Sequence, residues 1–171
     1  MANYKLFDKR IFAILPVMQS YQLKYLTGKR LQTFLAVADR IIPPDADSPS
    51  GGTLQTAGVV DWALDKMPDD LRKKILLFII VIELLGVFFG GKPFSKNSDA
   101  AKDRQLRWLE SNPIRLFRMG FFGVKTYICM GYYTREDVWN TFDYDGPVVR
   151  ERPYVDAMIR EMCQGKVEVL A

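Results

Sequence analysis

An apolar run at residues 75–89 limits the possible folds of this chain: it is fifteen residues long, and Glu83 is its only charged side chain. A helix of that length spans about 22 Å, whereas the hydrocarbon core of a bilayer is about 30 Å thick. A carboxylate near the middle adds about 2.5–3.5 kcal/mol to the cost of insertion. We therefore expect a helix at the centre of a bundle or against a partner protein.

Contact of the same run with a membrane surface stays open as an alternative, and a membrane span is the least favoured one. Basic residues that suit anionic lipid flank the run: Arg72, Lys73, Lys74 and Lys92. Such flanks are typical of helices that lie in the plane of a membrane surface. The sequence therefore allows a second hypothesis, a helical protein that anchors a complex to a membrane surface through residues 75–89.

Apolar spacing and helix-stop residues predict the rest of the fold. Offsets of three and four, together with Pro43, Pro68 and the Gly90-Gly91 pair, predict helices at residues 27–42, 56–67, 69–89, 98–110, 113–131 and 134–139. No alternating pattern is long enough to build a sheet. The fold class is thus all-α, an irregular bundle of about five to six helices with extended N- and C-terminal arms. We expect a single domain, residues 1–171, with arms at 1–22 and 148–171, a core at 26–147 and one further helix near 154–162.

The absence of histidine limits the chemistry that this chain can perform. Histidine is the usual general base near neutral pH and the commonest metal ligand, so triads and imidazole metal sites are excluded. Asp45 and Asp47 are spaced like the start of a calcium loop, but Ser50 and Thr56 stand where that loop needs glycine and glutamate. We predict no catalytic, cofactor-binding or metal-binding residues, although chemistry by carboxylates, lysine or tyrosine stays open.

Cysteine and charge usage point to no particular site. Cys129 and Cys163 are far apart in sequence, and either two packed thiols or a disulfide is compatible with that spacing. The net charge of +4 comes from basic residues scattered among acidic ones, so no nucleic-acid partner is predicted. Within the apolar run, we expect Glu83 to pair with an arginine from a neighbouring helix rather than to act as a general acid. The candidate arginines are Arg104, Arg107, Arg115 and Arg118.

Aromatic residues make up 13% of the chain, which is difficult to bury in a small helical domain. A cluster near the end of the predicted core is either an anchor for a protein partner or part of the core. Its members are Tyr127, Tyr132, Tyr133, Trp139, Phe142 and Tyr144.

Three segments, taken in order, resemble the small-subunit (subunit 3) family of gluconate 2-dehydrogenase. The first reads Phe-Leu-Ala-Val-Ala-Asp-Arg-Ile-Ile-Pro-Pro-Asp over residues 34–45. The second is Ser48-Pro49, followed by Ala57-Gly58-Val59 and Asp61. The third is Gly131-Tyr132-Tyr133-Thr134, then Val138-Trp139 and Tyr144-Asp145-Gly146-Pro147. The resemblance covers residues 26–147, and it is the order and spacing of the pieces that make it specific.

This resemblance implies an all-helical, non-catalytic subunit without its own cofactor. The expected partner is a large FAD-containing subunit of the glucose–methanol–choline oxidoreductase type, which oxidises an alcohol or a sugar, and a cytochrome c electron acceptor is an open addition. We predict partner contacts at Pro43, Pro44, Tyr132, Tyr133, Trp139, Tyr144, Gly146 and Pro147. Residues 1–22 show neither a signal peptide nor a twin-arginine pair, so we expect a cytoplasmic or peripheral membrane location.

Overall fold

The computed structural model describes residues 22–144, and these contain six α-helices and two 3₁₀ turns, with no strand in that range. The helices are α1 (Gly28–Ile41), α2 (Leu54–Lys66), α3 (Asp69–Gly90), α4 (Asp99–Ser111), α5 (Arg115–Tyr133) and α6 (Glu136–Trp139). The 3₁₀ turns are Phe94–Lys96 and Asn140–Phe142. The helices lie in one compact unit, Leu23–Tyr144, which confirms the all-α prediction. The predicted arms, apart from Gln22, and the helix near 154–162 lie outside the described residues.

Local capping explains where the helices begin and end. α2 begins two residues earlier than predicted, because Thr53 caps it by accepting a hydrogen bond from the backbone N–H of Thr56 at 3.3 Å. α3 ends as the glycine pair predicts: Gly91 takes a left-handed conformation, with φ of 74°, and its N–H bonds to the Val87 carbonyl.

Thr134 and Asp137 have a spacing that resembles a capping box and predicts the start of a helix at Thr134, but they do not form one. The Thr134 hydroxyl lies within 3.1 Å of the carbonyls of Met130 and Gly131, so it completes the end of α5 instead of starting α6. The Asp137 carboxylate accepts from the Arg135 guanidinium. In a capping box the Asp137 carboxylate would accept a hydrogen bond from the backbone N–H of Thr134. Here it accepts from Arg135 instead.

The core lies where α1, α2, α3, α4 and α5 meet, and the turn that carries the buried Phe94 packs against α1 and α3. Offsets of three and four predict an inner stripe on α5 made of Ile114, Phe117, Phe121, Val124 and Ile128. The stripe is confirmed at Phe121, Val124 and Ile128, which are buried. Ile114, predicted to begin that stripe, is exposed, because α5 starts one residue after it. The bundle thus buries one face of each long helix and leaves the opposite faces outside.

The apolar helix α3 follows the same rule, so it is not buried on all sides as a central helix would be, and the alternative of contact with a partner stays a prediction. One face is buried by its neighbours through Ile75, Phe78, Ile79, Ile82 and Gly86. The opposite face carries large exposed apolar side chains, namely Leu77, Ile80, Leu84, Val87 and Phe88. No helix among residues 22–144 is both long enough and apolar enough to cross a membrane.

Glu83 does not form the expected ion pair with an arginine. Its carboxylate accepts the backbone N–H of Ser95 at 2.9 Å and the Ser95 hydroxyl at 2.7 Å. The Thr33 hydroxyl lies 3.0 Å from the same carboxylate. Glu83 therefore joins α3 to α1 and to the 3₁₀ turn at Phe94–Lys96, which is a structural use of the charge.

Candidate partner-binding surface

Tyr132, at the end of α5, holds the loop between α1 and α2 against the bundle. Its ring is buried, and its hydroxyl donates to the carbonyl of Pro49 at 3.0 Å. Because that proton is used, the Ser48 hydroxyl, 2.6 Å away, is the donor of the second bond. Tyr132 therefore joins the second resembling segment to the third.

Arg135 reinforces the same junction from the turn after α5. Its side chain is buried, and its guanidinium donates to the Ser50 carbonyl at 3.0 Å and to the Thr53 hydroxyl at 2.9 Å. The guanidinium also lies 5.5 Å from the centre of the Tyr132 ring, a distance at which cation–π attraction operates. Sequence reasoning missed Arg135. Its position between Tyr132-Tyr133-Thr134 and Val138-Trp139 of the third segment could have indicated a role at the same junction.

Gly131 allows α2 and α5 to approach closely at this junction. A Cβ atom there would lie 2.8 Å from the Thr56 carbonyl oxygen and 2.8 Å from a methyl group of Val60. Such a contact is too short for a real side chain, so a larger residue would push the helices apart. The second and third segments thus meet in space through a glycine, a tyrosine and an arginine.

An exposed aromatic surface adjoins the junction, and we call it the aromatic face: Tyr133, Trp139, Phe142 and Tyr144. The exposed fractions are 55% for Tyr133, 50% for Phe142 and 44% for Tyr144. The Tyr133 ring is 6.2 Å from that of Phe142, which in turn is 6.2 Å from that of Tyr144. Trp139 packs edge-on against Tyr144 at 5.6 Å. These distances are typical of favourable aromatic pairs, so the rings support one another.

The backbone fixes the aromatic face at two points. The Trp139 indole N–H donates to the Tyr133 carbonyl at 2.6 Å. Asp143 takes a left-handed conformation, with φ of 51°, which turns the chain so that the Tyr144 N–H reaches the Trp139 carbonyl at 3.1 Å. These two bonds fix the Trp139 side chain and the backbone at Tyr144.

The structure divides the predicted site residues into two groups. Tyr133 and Tyr144 are exposed, Trp139 is half-buried, and Pro43 and Pro44 are exposed on the loop that Tyr132 holds. Tyr132 itself is buried, so its role in this arrangement is to position the loop. Gly146 and Pro147 lie outside the described residues. Of the other cluster members, Tyr127 packs against the core.

The described part of the chain offers no evident metal site. It contains no group of three or more histidine, cysteine or acidic side chains that could hold a metal ion. The Asp45 carboxylate, which begins the calcium-like spacing, accepts the N–H of Asp47 at 3.0 Å and so stabilises its own turn. Cys129 is a half-buried free thiol, and Cys163 lies outside the described residues.

Tyr132→Phe tests the junction, because it removes a hydroxyl and leaves the ring. We expect the free energy of unfolding to fall by about 1–2 kcal/mol, since the Pro49 carbonyl and the Ser48 hydroxyl lose their partner. Tyr133→Phe, one residue away and exposed, is the matched control and should change it by less than about 0.5 kcal/mol. Urea denaturation measures both, and equal effects would contradict this role of Tyr132.

Comparison with models of known protein families, with curated proteins and with solved structures finds no match for this chain.

Proposed function

We propose that this chain is a non-catalytic small subunit that binds and stabilises a large FAD-dependent alcohol or sugar dehydrogenase of the glucose–methanol–choline type. The FAD belongs to the partner, and this chain supplies a docking surface, the aromatic face. The observation that carries the proposal is the meeting of the second and third resembling segments at one junction, with exposed aromatic rings beside it.

The residues in and beside those segments fall into a buried group that holds the junction and an exposed aromatic group, and this supports a binding role. Buried residues fix the junction: Tyr132 and Arg135 hold the loop by hydrogen bonds, and Gly131 lets α5 pack closely against α2. Exposed members, Tyr133 and Tyr144, present rings to the outside. Exposed aromatic side chains contribute little to the stability of the fold, and contiguous exposed apolar patches are typical of interaction sites.

The chemistry of the aromatic face suits a protein partner. Tyrosine, tryptophan and phenylalanine are enriched at protein interfaces, and tyrosine and tryptophan are common among the residues that dominate binding energy. Rings that already pack against one another lose little side-chain freedom on binding, so more of their contact energy remains as affinity. The exposed Pro43 and Pro44 add a rigid element on the loop that Tyr132 positions.

A pull-down tests the partner directly. The full-length tagged chain, expressed in the cells it comes from, should retain a large protein that is yellow with flavin and that mass spectrometry identifies as a dehydrogenase. Deletion of this chain should lower the amount or stability of that enzyme. A large subunit that is stable and fully active without this chain would contradict the proposal.

The double variant Phe142→Ala/Tyr144→Ala tests the surface. We expect it to weaken binding of the flavoprotein by about 100-fold, because two mutually packed exposed rings are removed from the contact. The matched control is Leu116→Ala/Phe122→Ala, two exposed apolar side chains on the outer face of α5, which should retain wild-type binding. Co-purified flavin absorbance and a titration measure the difference.

A further inference from the structure

The outward side of α3 is a continuous apolar stripe that the bundle does not cover. Leu77, Ile80, Leu84, Val87 and Phe88 follow one another at offsets of three, four, three and one, so they share one face of the helix. Phe88 is 85% exposed, and Leu77 and Leu84 are each exposed by at least 60%. The stripe runs for about 16 Å along the helix axis. We call it the outer stripe.

Basic side chains stand at both ends of the outer stripe. Lys73 and Lys74 precede it by one turn, and Lys92 follows it directly after the helix ends; all three are exposed. The acidic groups of the helix offset most of this charge but leave an excess of one positive charge over residues 69–92, where four basic residues stand against Asp69, Asp70 and Glu83. Asp69 pairs with Arg72, and the charged Glu83 carboxylate accepts hydrogen bonds from Thr33 and Ser95 outside the outer stripe. Asp70 is exposed in the first turn and offsets one of the lysines.

We propose that the outer stripe binds an anionic lipid surface, with α3 parallel to the membrane plane. In that position the five apolar side chains enter the boundary between headgroups and acyl chains. The lysines at the two ends reach lipid phosphates and carboxylates, each with an attraction that falls off within a Debye length. This proposal rests on residues other than the aromatic face, and it holds whether or not the flavoprotein is the partner.

The composition of the stripe favours lipid over a protein partner. Four of its five members are aliphatic, none is tyrosine, tryptophan or arginine, and lysines flank it. Lysine is depleted at protein interfaces, whereas lysine beside leucine and phenylalanine is typical of interfacial membrane helices. The aromatic face has the opposite character, with tyrosines and a tryptophan.

Charge argues against a second copy of this chain as the occupant. A symmetric pairing through the outer stripe is either parallel or antiparallel. In the parallel case Lys73 and Lys74 meet the same residues of the other copy, and in the antiparallel case they meet Lys92. Both arrangements bring like charges together at the edges of an apolar contact, and these charges repel each other. An anionic lipid surface instead attracts the same lysines.

Vesicle flotation with the full-length chain, together with any partner it retains, tests the proposal. We expect binding to vesicles made of about three parts phosphatidylcholine and one part phosphatidylserine, and weak binding to phosphatidylcholine alone. Lys73→Gln/Lys74→Gln should lower the partition coefficient about 25-fold, at roughly fivefold per lysine. Leu84→Glu/Phe88→Glu should lower it more than about 100-fold, because apolar burial is lost and negative charge is added.

The matched control is Leu116→Glu/Phe122→Glu, which makes the same charge change on exposed apolar side chains of α5. It should retain vesicle binding within about fivefold, because it alters neither the outer stripe nor the lysines that flank it. Wild-type protein that fails to float with anionic vesicles would overturn the proposal, as would an equal loss in the control. A wild-type dimer that Leu84→Glu/Phe88→Glu converts into a monomer would assign the stripe to a second copy. Loss of flavoprotein binding in that variant would assign it to the protein partner.

Discussion

Replacing Gly86 by alanine should destabilise this protein by about 3 kcal/mol or more, among the largest effects available from a single methyl group. A Cβ atom at Gly86 would lie 2.2 Å from the backbone nitrogen of Phe94 and 2.6 Å from its Cα. Backbone atoms cannot rotate away as the end of a side chain can. The 3₁₀ turn that begins at Phe94 would have to move, and with it a ring that is fully buried in the core.

Gly123→Ala provides the matched control for Gly86→Ala. Gly123 also lies inside a long helix, α5, but nothing stands within 4 Å of the position that its Cβ would occupy. There the methyl group meets no obstacle, and the gain in helix propensity should raise the free energy of unfolding by about 0.5–1 kcal/mol. Thermal or urea denaturation of the two variants should therefore give changes of opposite sign. A Gly86→Ala protein as stable as wild type would show that the close approach to Phe94 is not required.

The glycines of α3 predict close packing and a helix end, but they do not predict which residue packs against them. Gly86 and Gly90 within and at the end of an apolar helix predict close packing and a helix end, and the contacts and the left-handed Gly91 confirm this. The identity of the neighbour could not be predicted, because Phe94 returns to the helix through a short turn whose path depends on the whole bundle. The same turn places the Asn97 amide 2.7 Å from the Gly86 carbonyl.

The exposed side of α3 could not be predicted for a different reason. Leu77 and Ile79 have nearly the same hydrophobicity, yet one is exposed and the other is buried. Helical periodicity identifies a buried face only when the opposite face is polar, and residues 75–89 give no such contrast. Burial is decided instead by tertiary packing, as where Phe78 fills the space beside Gly120.

The candidate surface shows the same limit at two adjacent residues. Tyr132 and Tyr133 belong to one resembling segment, and the sequence treats them alike. Successive residues of a helix point about 100° apart, so the structure buries the first and exposes the second. The prediction for Glu83 failed because it assumed that a carboxylate in an apolar helix needs an arginine as its partner. The neutral hydroxyl groups of Thr33 and Ser95 supply hydrogen-bond donors instead.

Asp61→Asn should also destabilise the protein strongly, by about 3 kcal/mol. The Asp61 side chain is fully buried, and its carboxylate accepts three backbone N–H groups: Lys24 at 2.8 Å, Tyr25 at 2.9 Å and Leu26 at 2.6 Å. Hydrogen bonds to a charged acceptor contribute about 1.5–3 kcal/mol each, and a buried donor left without an acceptor costs about 1–3 kcal/mol. Asparagine presents only one acceptor oxygen, so its amide group would face a backbone N–H.

Asp65→Asn, one helical turn further along α2, separates this effect from a general loss of negative charge. Its carboxylate binds the Lys24 ammonium and the Tyr25 hydroxyl, both at 3.0 Å, and it is partly exposed. We expect a loss of about 1 kcal/mol or less, as for other exposed ion pairs. The Lys24 hydrogen bond lowers the pKa of the Asp65 carboxyl, so its contribution exists above the unfolded pKa and disappears as the pH falls through the folded one.

The comparison of the two variants also decides what Asp61 contributes to the resembling segments. If the carboxylate holds the chain before α1, Asp61→Asn should loosen the segment that carries the buried Leu26, and amide hydrogen exchange of Lys24, Tyr25 and Leu26 should accelerate. Asp65→Asn should leave the exchange of Leu26 unchanged. Equal stability of the two variants, with a loss of partner binding only in Asp61→Asn, would instead assign Asp61 to the interface.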